Sequence, residues 1–185
     1  MTDLAASRRG ADPEDRFRRL FDDHYRIVMA FALRRTPTAD DANDVTSETF
    51  AVAWRRLTDV PDDRDGQVAW LLATARRVLA NHHRSTRRRR ALHQKVTVTG
   101  NLRTGRDPGE TTTEGQLVRA ALADLAEIDR EILRLAAWED LPHAQIAEVL
   151  DLTVSAVSVR LHRARQRLAE ALAALEQDAR AGGDA

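Results

Sequence analysis

Cysteine is absent from the 185 residues of this chain, which excludes disulfide scaffolds, zinc–thiolate centres and a cysteine nucleophile. No apolar run approaches membrane-spanning length, and the opening residues MTDLAASRRGADPEDRF lack the apolar core of a signal peptide. The expectation is a cytoplasmic protein without membrane insertion. No glycine-rich phosphate loop or nucleophile turn is present. Lysine is nearly missing too, Lys95 being the only one among 29 basic residues. Those 29 are matched by 29 acids, so the formal net charge is zero. That balance at first argues against nucleic acid.

The balance hides a strong segregation. Residues 40–65 are mainly acidic, whereas 66–106 carry nine arginines, one lysine and no acid. Acids dominate again over 107–148, and Arg160, Arg163, Arg165 and Arg167 then follow on one short stretch. Charge blocks this separate can serve two partners of opposite polarity.

Helical periodicity runs through most of the chain, and no pair of strands does. Asp12-Pro13-Glu14-Asp15 reads as an N-cap, a proline in the first turn and acids beside it. Phe17, Leu20, Phe21, His24, Val28 and Phe31 then recur at helical spacing. After a break at Thr36-Pro37, a second helix starts near Thr38 or Asp40 and carries Val45, Phe50, Trp54 and Leu57. Turn residues fill 60–66, and a third helix runs from about Gln67 into Arg87–Arg90. Trp54 and Trp70 lie on apolar stripes and are expected in the core. Gly, Thr and Pro dominate 96–113, as in a linker, with a short strand over Val96–Thr99 as a lesser alternative. Four helices are expected beyond it, over about 114–124, 127–138, 143–150 and 154–176. The fold class is therefore all-α: two small helical domains, 13–92 and 114–176, joined by a linker over 93–113.

The segment 142–168, PHAQIAEVLDLTVSAVSVRLHRARQRL, fits a helix-turn-helix. Ala147 is the small residue needed where two helices cross steeply, and Ile146, Leu150, Leu152, Val157 and Leu161 are spaced to pin both. Asp151 takes the turn position that favours positive φ, and Thr153 caps the second helix. Ser155, Ser158, Arg160 and Arg163 fall on its exposed face. Serine bonds to most base edges, and arginine can bridge the two acceptors of guanine. Arg165 and Arg167 suit phosphates. In the first domain, Arg76, Arg77, Asn81, His82, Arg84, Arg87 and Arg88 make a cationic helix suited to single-stranded or melted DNA. His82 and His83 point about 100° apart on a helix and cannot share a metal ion. Ser155 and His162 lack the orienting third group of a catalytic pair. Neither an enzyme nor a cofactor is indicated.

The stretch DANDVTSETFAVAWRRL at 41–57, followed by AWLLATARRVLANHHRSTRRRR, resembles conserved region 2 of the extracytoplasmic-function sigma factors. LADLAEIDREILRLAAWEDLPHAQIAEVLDLTVSAVSVRLHRARQRL resembles their region 4. The resemblance implies a sigma factor that directs core RNA polymerase to promoter DNA. It implies core-polymerase contacts at Asp44, Glu48 and Phe50. Minus-10 recognition and melting fall to Arg76, Arg77, Asn81, Arg84 and Arg88. Minus-35 recognition falls to Ser155, Ser158, Arg160, Arg163 and Arg165. Ser47, Ala126 and Asp151 depart from the frequent glutamine, proline and glycine of that family. Many members are held inactive by an anti-sigma protein, which no residue here identifies. The alternative is a helix-turn-helix regulator that binds an operator without polymerase, which leaves the acidic and Arg-rich helices unused.

Overall fold

The computed structural model describes residues 12–93, 118, 120–123 and 125–181, with side chains left aside at 85–93 and at 175, 176 and 178–181. Among these residues there is no strand. The chain divides into two compact units, Met1–Gly105 and Arg106–Ala185. The lesser strand alternative at 96–99 lies outside the described residues. So do residues 94–113 of the expected linker, while His93 is the last residue of the third helix; of the helix expected over 114–124 only 118 and 120–123 are described, all helical.

In the first unit, α1 (Pro13–Leu33), α2 (Ala39–Arg55) and α3 (Arg64–His93) pack pairwise against one another. The start of α1 is set locally: the Asp12 side chain accepts from the Glu14 amide at 3.2 Å, with Pro13 in the first turn. Thr38 caps α2 by accepting from the Asp41 amide at 3.0 Å. Each such cap stabilises by about 1 kcal/mol. The larger contribution is burial. Val28, Phe31, Val45, Leu71 and Leu72 are at most 1% exposed, and each contributes roughly 1.5–3 kcal/mol. The third helix begins three residues before the expected Gln67. Asp63 causes this: its carboxylate accepts from the Gly66 amide at 2.7 Å and its carbonyl from the Gln67 amide at 3.0 Å. Gly66 is required there, because a β-carbon would lie 2.8 Å from both Pro61 Cβ and Asp63 Oδ2.

In the second unit, α4 (Glu127–Ala137) and α5 (His143–Leu150) both pack on α6 (Val154–Ala181). Ile132, Leu135, Ile146, Val157, Leu161 and Ala164 form its core, each at most 2% exposed. Two aspartates carry the turns in left-handed backbone, Asp140 at φ 51° and Asp151 at φ 56°.

Candidate nucleic-acid interface

The start of α6 is fixed before any partner arrives. Asp151 ends α5 in the left-handed conformation, and the Leu152 amide reaches back to the Ala147 carbonyl at 2.9 Å. Thr153 Oγ1 then accepts from the Ala156 amide at 3.2 Å. Val157, Leu161 and Ala164 turn inward, so the opposite side of α6 is open. Its centre line is Ser155, Val159 and Gln166, all exposed. Val159 is 49% exposed, and its apolar character hides it from a search for polar base-readers. An apolar side chain there can contact a thymine methyl in the major groove.

The polar residues divide between two flanks. On one, Ser158 is half-buried, donates to the Val154 carbonyl at 3.1 Å and shares a 2.8 Å hydrogen bond with His143 Nδ1. Arg165 is exposed on the same flank. On the other lie Arg160, Arg163 and Arg167. Arg163 is exposed and makes no hydrogen bond or ion pair among the described residues. Arg160 differs: its guanidinium donates to Asp129 Oδ1 at 2.9 Å, and Arg167 stands 4.0 Å from Oδ2 of the same carboxylate. Asp129 lies on α4, 31 residues away in sequence from Arg160, so helical spacing could not reveal the pair.

In the first unit, Arg76, Arg77, Asn81 and Arg84 share the exposed side of α3. Arg84 is tied to its own helix, through the Asn81 amide oxygen at 2.5 Å and the Ala80 carbonyl at 3.2 Å. Arg76 and Arg77 have no such partner among the described residues. The side chain of Arg88 falls outside them. His82 turns toward α2, its Nε2 3.4 Å from Asp41. The loop before α3 is held from below by Arg16, which donates to the carbonyls of Leu57 at 2.6 Å and Val60 at 2.7 Å and pairs with Asp62 at 2.9 Å. Gln67 adds a bond to the Pro61 carbonyl at 3.1 Å and one to buried His24 at 2.8 Å.

Asp44, Ser47 and Glu48 are exposed on α2 and face Asn81 and His82 of α3 across a shallow groove. Phe50 corrects the expectation for this helix. It is 3% exposed and packs against Phe21 at 4.8 Å between ring centroids, so it supports the helix from within and offers no surface. Periodicity places Phe50 on the apolar stripe, and the structure sides with periodicity against the contact role that the family resemblance implies. Trp54 is the converse: expected in the core, it is 46% exposed, with one edge against Phe17 at 5.2 Å. Trp70 is half-buried.

The model for Sigma-70 region 2 matches residues 20–89, and that for Sigma-70, region 4 matches residues 115–168. The RNA polymerase sigma-E factor of Streptomyces coelicolor is 30% identical over 158 residues, covering 83% of this chain and 84% of that protein. The chain belongs to the sigma-70 family. It is an extracytoplasmic-function sigma factor, which directs core RNA polymerase to specific promoters and initiates transcription. Similar too is the sigma factor SigL of Mycobacterium tuberculosis, 29% identical over 82% of this chain and 85% of its own length. The solved structure of CnrH, a sigma factor of Cupriavidus metallidurans, in complex with the cytosolic domain of CnrY aligns with a TM-score of 0.59. It is 26% identical and covers 92% of this chain and 96% of that one. No helix among the described residues of this sigma factor is long and apolar enough to cross a membrane.

Proposed function

We propose that this sigma factor divides promoter recognition between its units, region 2 over 13–92 and region 4 over 114–176, tethered by 93–113. The exposed acids of α2, Asp44 and Glu48, dock on core RNA polymerase. Open Arg76 and Arg77, with Asn81 and Arg84 beside them, capture the melted minus-10 strand, because cationic side chains track a backbone whose bases have left the stack. Helix α6 reads the minus-35 element as duplex, through Ser155 and Val159 on its centre line, with Ser158 and Arg165 on one flank and Arg160 and Arg163 on the other. The observation that carries this reading is the preset start of α6: the left-handed Asp151 and the Thr153 cap aim its first turn outward, the geometry that lets a helix enter the major groove. The protein acts in the cytoplasm by binding alone, without catalytic chemistry of its own. Its partners extend to an anti-sigma protein, a reading supported by similarity to CnrH, whose solved structure is a complex with CnrY.

Run-off transcription tests the proposal. Purified core polymerase, the protein and genomic promoter fragments should give discrete transcripts that depend on the protein. Transcripts that persist without it, or none at all together with no binding to core polymerase, would overturn it.

A further inference from the structure

Asp129 is 7% exposed and lies beside Ile132 and Leu133 on the buried side of α4. A carboxylate in such a position must be compensated by cations, and an apolar residue there would carry no desolvation cost. Its two oxygens face two arginines of α6: Oδ1 accepts from Arg160 at 2.9 Å, and Oδ2 stands 4.0 Å from Arg167. Both guanidiniums keep an outward side, their side chains being 44% and 62% exposed. With Ser155, Val159 and Arg163 they form a cleft on the open surface of α6, Asp129 in its wall.

We propose that Asp129 is a specificity-determining positioning residue, which acts through Arg160 to suppress sequence-indifferent phosphate binding by α6. The inference rests on the reading of α6 as the duplex-reading helix. Its physical basis is twofold. An untethered arginine sweeps many rotamers and pairs with any phosphate it meets, whereas a tethered one presents its remaining N–H donors in one orientation. The negative charge of Asp129 also lies well within a screening length of about 10 Å, so it weakens the pull of Arg160 and Arg167 on the DNA backbone. Arg163 makes no ion pair among the described residues, so its guanidinium has no carboxylate partner to leave before it meets DNA.

The test uses full-length protein in holoenzyme with core polymerase. Binding is measured across a salt series to a promoter found by run-off transcription and to the same fragment with its minus-35 element scrambled. Asp129→Asn should tighten binding to the scrambled fragment about tenfold, lower the cognate-to-scrambled ratio by a similar factor, and steepen the salt slope by about 0.9 for each additional phosphate neutralised. In an Arg160→Ala background most of that change should vanish. Arg160→Lys, which keeps the charge but loses the rigid fork, should lower the ratio without disturbing the buried carboxylate, and so serves even if Asp129→Asn folds poorly. An Asp129→Asn effect of equal size with and without Arg160, or a loss of thermal stability with the ratio unchanged, overturns the proposal. Arg163→Ala is the control on its foundation: an unchanged ratio in that variant rejects α6 as the reading helix, and the inference falls with it.

Discussion

Asp151 adopts a backbone that most side chains resist, with φ 56° and ψ 50°. Aspartate tolerates the left-handed region because its short polar side chain can bond locally, while alanine has only the steric cost of about 1 kcal/mol or more. Asp151→Ala should therefore destabilise the second unit by about 1 kcal/mol, a fall in Tm of roughly 4–8 °C for a domain of this size. Asp151→Gly, free of the β-carbon, should stay within a few tenths of a kcal/mol of the parent. Thermal unfolding of the three proteins checks this, and equal losses in both variants would show that backbone strain does not govern the turn. This residue, like Asp12, Thr38 and Thr153, is legible in the sequence because capping and turn chemistry act within three or four positions. Asp129 is not, since its partner lies one helix and two turns away. Phe50 and Trp54 show a different limit: periodicity marks both as apolar, but which of them is covered depends on where α1 lies across α2.

At the scale of elements, helix positions are readable and the loop support is not. The second helix begins at Ala39 with Thr38 as its cap, between the Thr38 and Asp40 starts expected from sequence, and α5 spans the expected 143–150. The hidden part is Arg16, which joins the first turn of α1 to a loop 41–46 residues further on through two carbonyls and Asp62. The Asp62 pair contributes little, because that carboxylate is 95% exposed. The two carbonyl bonds are charge-assisted and part-buried, each worth about 1.5–3 kcal/mol. Arg16→Ala should destabilise the first unit by about 2 kcal/mol and speed hydrogen exchange at the Val60 amide, which bonds to the Leu57 carbonyl at 3.3 Å. Because that loop leads into α3, whose Arg76 and Arg77 capture the melted strand in the proposed mechanism, the same variant should slow promoter opening, read as permanganate reactivity of unpaired thymines, and leave affinity for core polymerase unchanged. Normal opening with a loosened loop would detach this clamp from melting.

For the molecule as a whole, the two charge signs cancel in sum while remaining separate in place. Zero net charge gives little general attraction to DNA, so the free protein should bind promoter duplex at physiological salt no more tightly than about 1 μM, the range of non-specific binding. Adding core polymerase should tighten this by orders of magnitude, since two modest contacts then share one complex and raise each other's effective concentration. Fluorescence anisotropy of a labelled promoter with and without polymerase measures both states, and nanomolar binding by the free protein would contradict the scheme. The exposed indoles have a practical consequence here. Trp54, at the edge of the aromatic cluster on α2, is 46% exposed, and Trp138, at the end of α4, is 38% exposed. Each unit thus carries a partly wetted natural fluorophore, and single-tryptophan versions of the protein would report by emission colour which half is engaged first as the transcription complex assembles.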